Sequence, residues 1–460
     1  MAPPQHGRQS IFLSQTREPY LPKSSPALRI MSIDSSQTTA VISALGTLVG
    51  YIGAEAATED VFERLLWPQR FFNAVSRQDF LQIGFLTPMG GPLHRAAVAT
   101  LDTMHRNGLF RGRSLGNMLG TAFFHDSGLK YKVHEQQKVV GKEHVRSGVW
   151  VRAVQRVAMP ATIDKERHAE DGITERKIVR ARSVVSLLEL SHSETVKDSK
   201  KTVRNDASTI TLRCILTIIW SEITGLAAAG LAFGYWRSYF SLLWLMPLFL
   251  KLVSVISVIP REDLQGKLAS KDTHPESTKQ FEVNTKGHGF LVVEGTESVV
   301  LQFFRHYGHP IRVRWRELTQ LGIIIAFGAL FPIGLVCSLL WMPVGLQFLW
   351  LSYQLYATTA MYIYRYARGH QWATTESRLA QRFSEGDNEE RIAYLQSDRR
   401  SAIMGKLTRI YVGSYGAGQQ TVEALLAQRQ GGPEKEVKEV DGTESDSTSD
   451  ILQRTGDKSN

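Results

Sequence analysis

Two ionisable residues stand inside otherwise apolar sequence, Glu222 and Lys251. A charge in hydrocarbon is costly, so each marks a place where chemistry or a specific partner is needed. Their spacing is informative. Apolar runs on either side of a turn near 236–237 place Glu222 about 14 residues before it and Lys251 about 14 after. At a rise of about 1.5 Å per residue, both lie about 21–22 Å from the turn, at one depth of a helical hairpin. Three readings follow. The two form a buried ion pair that fixes the hairpin register. Alternatively Lys251, close to Pro260, extends its stem to the headgroups. In the third, the two relay a proton or an ion. Gln347, Ser352 and Gln354 either line the same interior or hydrogen-bond between helices.

Imidazole beside carboxylate is the other arrangement with chemical content. His125-Asp126, with His94, His105 and His134 as further ligands, resembles the metal-binding dyad of metal-dependent phosphohydrolases. The dipeptide is too short to specify a site, and solvated surface histidines are the favoured reading. His288 falls in a Gly-His-Gly turn and His306 on an expected helix, so no metal is assigned there either. The two cysteines, Cys214 and Cys337, both fall in apolar runs and form neither a disulfide framework nor a zinc site. There is no phosphate-binding glycine loop and no nucleophile elbow. The reading leans away from an enzyme and assigns no cofactor.

The elements that would position these residues are two apolar hairpins, 210–260 and 321–364. Each holds two runs near the length of about 20 residues that a spanning helix needs. The helices are expected over 210–234, 239–259, 321–341 and 344–364, with Tyr235, Trp236 and Tyr239 at the first turn, where an interfacial aromatic belt would put them. A shorter run at 38–57 reads as a further span, with an interfacial helix and a signal segment as alternatives; Met31–Gln37 lacks the basic residues a signal requires. Gly46-xxx-Gly50 and Gly230-xxx-Gly234 would let another helix approach closely.

The remainder is polar. Residues 1–37 and 428–460 read as disordered. Region 58–208 opens with an amphipathic helix kinked at Pro68, continues into a broken apolar stretch at 80–93 (re-entrant, interfacial or a core loop), and includes a strand-like run at 149–158 and a short apolar patch at 184–190. Loop 261–320 holds a small αβ module, with a hairpin of 281–284 against 289–293 and a helix at 298–307. Region 365–427 reads as partly helical, at 375–383 and 389–395.

The formal charge of +10 would suit a nucleic-acid binder, but its placement favours another cause. Lys200, Lys201, Arg204 and Arg213 precede the first hairpin; Arg261 and Lys267 follow it; Arg312, Arg314 and Arg316 precede the second; Arg365 and Arg368 follow that. The two turns contain Arg237 alone. The positive-inside rule then puts the polar mass, regions 58–208, 261–320 and 365–427, in the cytoplasm. The expected fold is an α-helical multi-pass membrane protein of two transmembrane hairpins plus an N-terminal span, with small cytoplasmic polar and αβ segments. The expected function is a membrane scaffold or adaptor. Its partners are the lipid bilayer, cytoplasmic proteins and a second copy of the chain, and nucleic acid is disfavoured. The alternative is a small oligomeric transporter or channel using Glu222 and Lys251, and a membrane-bound hydrolase is the remote one.

Overall fold

A computed structural model describes residues 35–58, 60–73, 75–106, 129–135, 138–159, 162–168, 174–180, 183–193, 201–205, 209–264, 278–284, 289–311, 313–386, 391–396 and 402–428. The described elements begin with helices α1 (Ser35–Ala56), α2 (Asp60–Leu66), α3 (Pro68–Phe72), α4 (Arg77–Leu86) and α5 (His94–Arg106). Strands β1 (Lys130–Glu135) and β2 (Lys138–His144), helix α6 (Val149–Arg156) and strands β3 (Thr162–His168), β4 (Thr174–Arg180), β5 (Ser183–Ser193) and β6 (Thr202–Arg204) follow. The first apolar hairpin is α7 (Leu212–Trp220), α8 (Ile223–Trp236) and α9 (Leu242–Ile256). Then come β7 (Thr278–Asn284), β8 (Phe290–Thr296) and α10 (Glu297–Leu301), and the second hairpin, α11 (Arg314–Leu340) and α12 (Val344–Tyr366). The chain closes with α13 (Thr375–Glu385), β9 (Arg391–Gln396), β10 (Ala402–Val412) and α14 (Tyr415–Gln428).

The expected all-helical multi-pass fold is overturned by an eight-stranded mixed sheet, in the order β2-β1-β7-β8-β5-β10-β9-β6. The polar regions are not small appendages. They supply one α/β domain from three separate stretches of chain, split by the two hairpins. β5 and β8 pair in parallel, from Val185↔Phe290 to Leu190↔Gly295. Parallel neighbours need a long crossover, and here that crossover contains the whole first hairpin. β3 and β4 pair separately as an antiparallel ribbon.

Alternation explains why these stretches are strands. In β5, Leu188 and Leu190 join the core on one face with Phe281, Val293, Trp150, Phe303 and Phe383. Val185 and Leu187 face the other way, onto Val422 and Leu426 of α14. β9, expected as a helix, buries Ala393 and Leu395 and leaves their neighbours half-exposed, which is a period of two. The run at 149–158, expected as a strand, is helix α6. It buries Val149, Trp150, Ala153 and Val154 at helical spacing, and Val151 beside them.

The helical layer also departs from the expected spans. Among the described residues, two segments are individually long and apolar enough to cross a membrane, Tyr239–Ile256 and α11. α1 with α2, bent by 76°, and α7 with α8, bent by 57°, qualify only if each bent pair is one span. α12, read as a span from sequence, is not among them: it is the polar interior helix of the layer, burying Gln347, Tyr353, Gln354, Thr358 and Tyr364.

Glycines set how closely α1 lies against its neighbours. A Cβ on Gly50 would sit 2.5 Å from Phe331 Cε1, and one on Gly53 would sit 2.2 Å from Pro92 Cγ and 2.6 Å from Thr358 Oγ1. Gly46 is held less tightly, against Leu335 Cδ1 at 2.9 Å. By contrast, Gly230 and Gly234 face open space within this chain. Gly53→Ala should therefore destabilise by about 1–3 kcal/mol through overpacking. Gly230→Ala should be neutral or should stabilise by up to about 1 kcal/mol through helix propensity. Thermal unfolding of the two purified variants checks the contrast, and equal effects would refute it.

Candidate functional site at a buried helix break

The expected single helix over 210–234 is interrupted at Ser221–Glu222. α7 begins on a Thr211 cap, whose hydroxyl accepts from Cys214 N at 3.3 Å. α8 ends at Arg237, whose left-handed conformation (φ 47°) stops the helix. At the break, Glu222 is the residue before the first turn of α8, where the helix dipole favours a carboxylate.

The break brings the two sequence-selected charges together. Lys251 Nζ lies 2.5 Å from Glu222 Oε1. It also donates to Ser221 Oγ at 2.8 Å and lies 3.5 Å from Thr87 O. Glu222 is fully buried and Lys251 is 6% exposed. The lysine stem therefore turns inward to the pair rather than outward to headgroups. The second carboxylate oxygen, Glu222 Oε2, has no hydrogen-bond partner. Its surroundings include Gly225, where a Cβ would lie 3.6 Å from Oε2 and 3.3 Å from Tyr353 Oη.

A third element completes the site. The stretch Thr87-Pro88-Met89-Gly90-Gly91-Pro92 leaves α4 and runs through the layer, buried from Pro88 to Leu93. Met89 N donates to Glu222 Oε1 at 3.0 Å, and Gly90 O accepts from Gln354 Nε2 at 3.0 Å. Its composition explains how irregular backbone survives there. Two prolines remove two N–H groups that would need partners. The glycines let Tyr353 and Ala357 press on the backbone: a Cβ on Gly90 would lie 2.5 Å from Tyr353 Oη. The sequence marked 80–93 as apolar and broken; it did not connect this loop with Glu222.

The remaining sequence-selected residues are dispersed. Gln347 donates to Met342 O at 2.9 Å, and Ser352 is exposed. His94 stacks on Phe331, with ring centroids 5.9 Å apart. His134 lies 3.0 Å from Glu282 Oε2, and His306 lies 3.8 Å from Glu262. Among the described residues no group of three or more His, Cys, Asp or Glu side chains is arranged to hold a metal. His125, Asp126 and His288 lie outside the described residues.

A second charged cluster, not foreseen from the sequence, joins the helical layer to the α/β domain. Glu376, in the first turn of α13, is fully buried and accepts from Arg70 Nη2 of α3 at 2.8 Å and from Arg152 Nε of α6 at 3.1 Å. Arg70 is also paired with Glu63 of α2. Arg156 Nη1 donates to Thr374 Oγ1 at 2.6 Å and to Ser377 Oγ at 2.8 Å. Burial alone would raise the Glu376 pKa, but the positive field of Arg70, Arg152 and Arg156 overrides it and holds the carboxyl well below the usual range. Several arginines that the positive-inside count used also bind backbone carbonyls: Arg213 to Val75 O, Arg261 to Gly308 O, Arg316 to Val258 O and, in the last turn of α1, Arg365 to Glu55 O.

No family model, curated protein or solved structure matches this chain.

Proposed function

We propose that this chain is a membrane-anchored scaffold that holds an α/β domain against the bilayer surface. The observation that carries the reading is the sheet's construction. Both hairpins leave the α/β domain and return to it, so the domain is tied to the helical layer at four chain crossings and locked by the Glu376 cluster. Such a domain cannot swing away on a linker. The exposed faces of the layer support membrane contact: Leu231, Phe249, Ile325, Ile333 and Leu355 are each more than half exposed. Exposed aromatics flank them, with Tyr235, Tyr239 and Trp341 at the hairpin tips and Trp315 and Tyr366 at the domain end. The 27 residues of α11 extend about 40 Å, close to the roughly 40–45 Å of a bilayer with its headgroups.

A protein partner would meet the sheet at β2, the end of the strand order, where Val139 and Val140 are exposed. A second copy would pack on the Gly230 and Gly234 face of α8. In sealed vesicles, protease added on the domain side should cut the polar region and leave fragments spanning 239–256 and 314–340 protected. Release of the intact chain by alkaline carbonate, or cleavage within 314–340, would overturn the reading.

A transport reading is favoured by one observation, the unpartnered Glu222 Oε2 at a helix break.

A further inference from the structure

A partly open cleft lies between α2, α3, α7, α9, α12 and the loop after α4. Its walls are mainly apolar, formed by Leu65, Phe72, Ile218, Val255 and Met361 among others, and two cations reach it, Arg64 and Lys251. The cations differ. Lys251 is neutralised by Glu222 at 2.5 Å. Arg64 is only 5% exposed, and its one hydrogen bond goes from Nη2 to the Gly369 carbonyl at 2.5 Å. Its Nε and Nη1 have no hydrogen-bond partner. The rings of Phe71 and Tyr364, with centroids 5.2 and 5.0 Å from the guanidinium carbon, cover its faces without neutralising it. Of the two acids on its own helix, Glu63 is paired with Arg70, and Asp60 forms no ion pair with Arg64 among the described residues.

A buried guanidinium with two unused donors is a costly arrangement. A cation with unpaired N–H groups beside an apolar trough is the form that matches an anionic head with a hydrocarbon tail. We propose that this cleft binds a single-chain anionic amphiphile, Arg64 pairing with the head and the apolar walls enclosing the tail. The site stands on the cleft and on Arg64 alone, and does not depend on the scaffold reading. Carboxylate and phosphate heads share the required chemistry, so the test must separate them.

The full chain is reconstituted in nanodiscs of zwitterionic lipid, and displacement of a fluorescent long-chain carboxylate is followed. Palmitate, lysophosphatidic acid and the uncharged hexadecanol are the competitors. Palmitate or lysophosphatidic acid should displace the probe, and the stronger of the two identifies the head; hexadecanol should fail at the same concentration. Arg64→Gln should weaken binding by about tenfold to a hundredfold, the worth of a hydrogen bond to a charged group, and Arg64→Lys should recover part of the loss. Equal displacement by hexadecanol, or unchanged binding in folded Arg64→Gln, would overturn the site. Should Arg64→Gln fail to fold, the wild-type chain decides: palmitate or lysophosphatidic acid must raise its thermal midpoint and hexadecanol must not, and the absence of any such difference refutes the proposal.

Discussion

Lys251→Met lowers the unfolding free energy by about 3–5 kcal/mol, because it leaves the Glu222 carboxylate buried with its main counter-charge removed. Glu222 then keeps only the Met89 amide at 3.0 Å. The pair itself is a weak source of net stability, since taking two charges out of water offsets much of their attraction. The double variant Glu222→Gln/Lys251→Met should therefore be less destabilised than Lys251→Met alone. Thermal or denaturant unfolding of the four proteins gives the coupling directly. A small loss in the lysine variant, of the size seen at surface pairs, about 0–1 kcal/mol, would show that the two charges do not interact as placed. The same variants separate scaffold from transporter. If Glu222→Gln inserts and folds normally in liposomes but a solute flux is lost, the transport reading replaces the scaffold one. If stability alone changes, the pair is a register lock.

Glu376→Gln should cost a comparable amount, about 3–5 kcal/mol, because Arg70 and Arg152 would be left facing a neutral amide inside the junction. It also changes the acid response. The Glu376 carboxyl is held well below its ordinary value by the arginines, despite burial. A depressed acid contributes stability that is fully present above its unfolded pKa, about 4.3 for Glu. That contribution is lost as pH falls toward the folded value. Wild-type stability should therefore fall steeply on acidification below about pH 4, and the Glu376→Gln variant should show a flatter acid limb. Parallel acid limbs in the two proteins would remove Glu376 as the lock. Because the cluster joins α3, α6 and α13, its loss should first release the α/β domain from the helical layer, read as faster proteolysis of the junction before global unfolding.

The features that could be read in advance are those whose physics is local. An apolar run shows itself within about 20 residues, so both hairpins and their tips were visible. A charge in such a run is conspicuous wherever its partner lies, and a count of helical rise placed Lys251 opposite Glu222. The close approach at Gly50 followed from small residues at helical spacing, but the tighter contact at Gly53 depends on Pro92, which no spacing on α1 announces. The break at Ser221–Glu222 was also hidden, because neither proline nor glycine stands at 218–224 to mark it. What stabilises the break is the Met89 amide, 133 positions away.

The sheet shows the same division more strongly. Val184 to Leu190 is a short apolar patch by itself, compatible with several structures. It becomes a central strand because Phe290 to Gly295 lies alongside it in parallel, across the first hairpin. Arg70 and Glu376 are 306 positions apart, and each alone reads as an ordinary surface charge. The sequence by itself determined where the apolar runs lie and that Glu222 and Lys251 stand within them at one depth, because hydropathy and helical rise act over neighbouring residues. Only the tertiary structure decided that the polar segments form one sheet, that Arg64 is left uncompensated beside a cleft, and that Glu376 joins the two layers, because strand pairing and buried charge depend on partners the chain brings together only on folding.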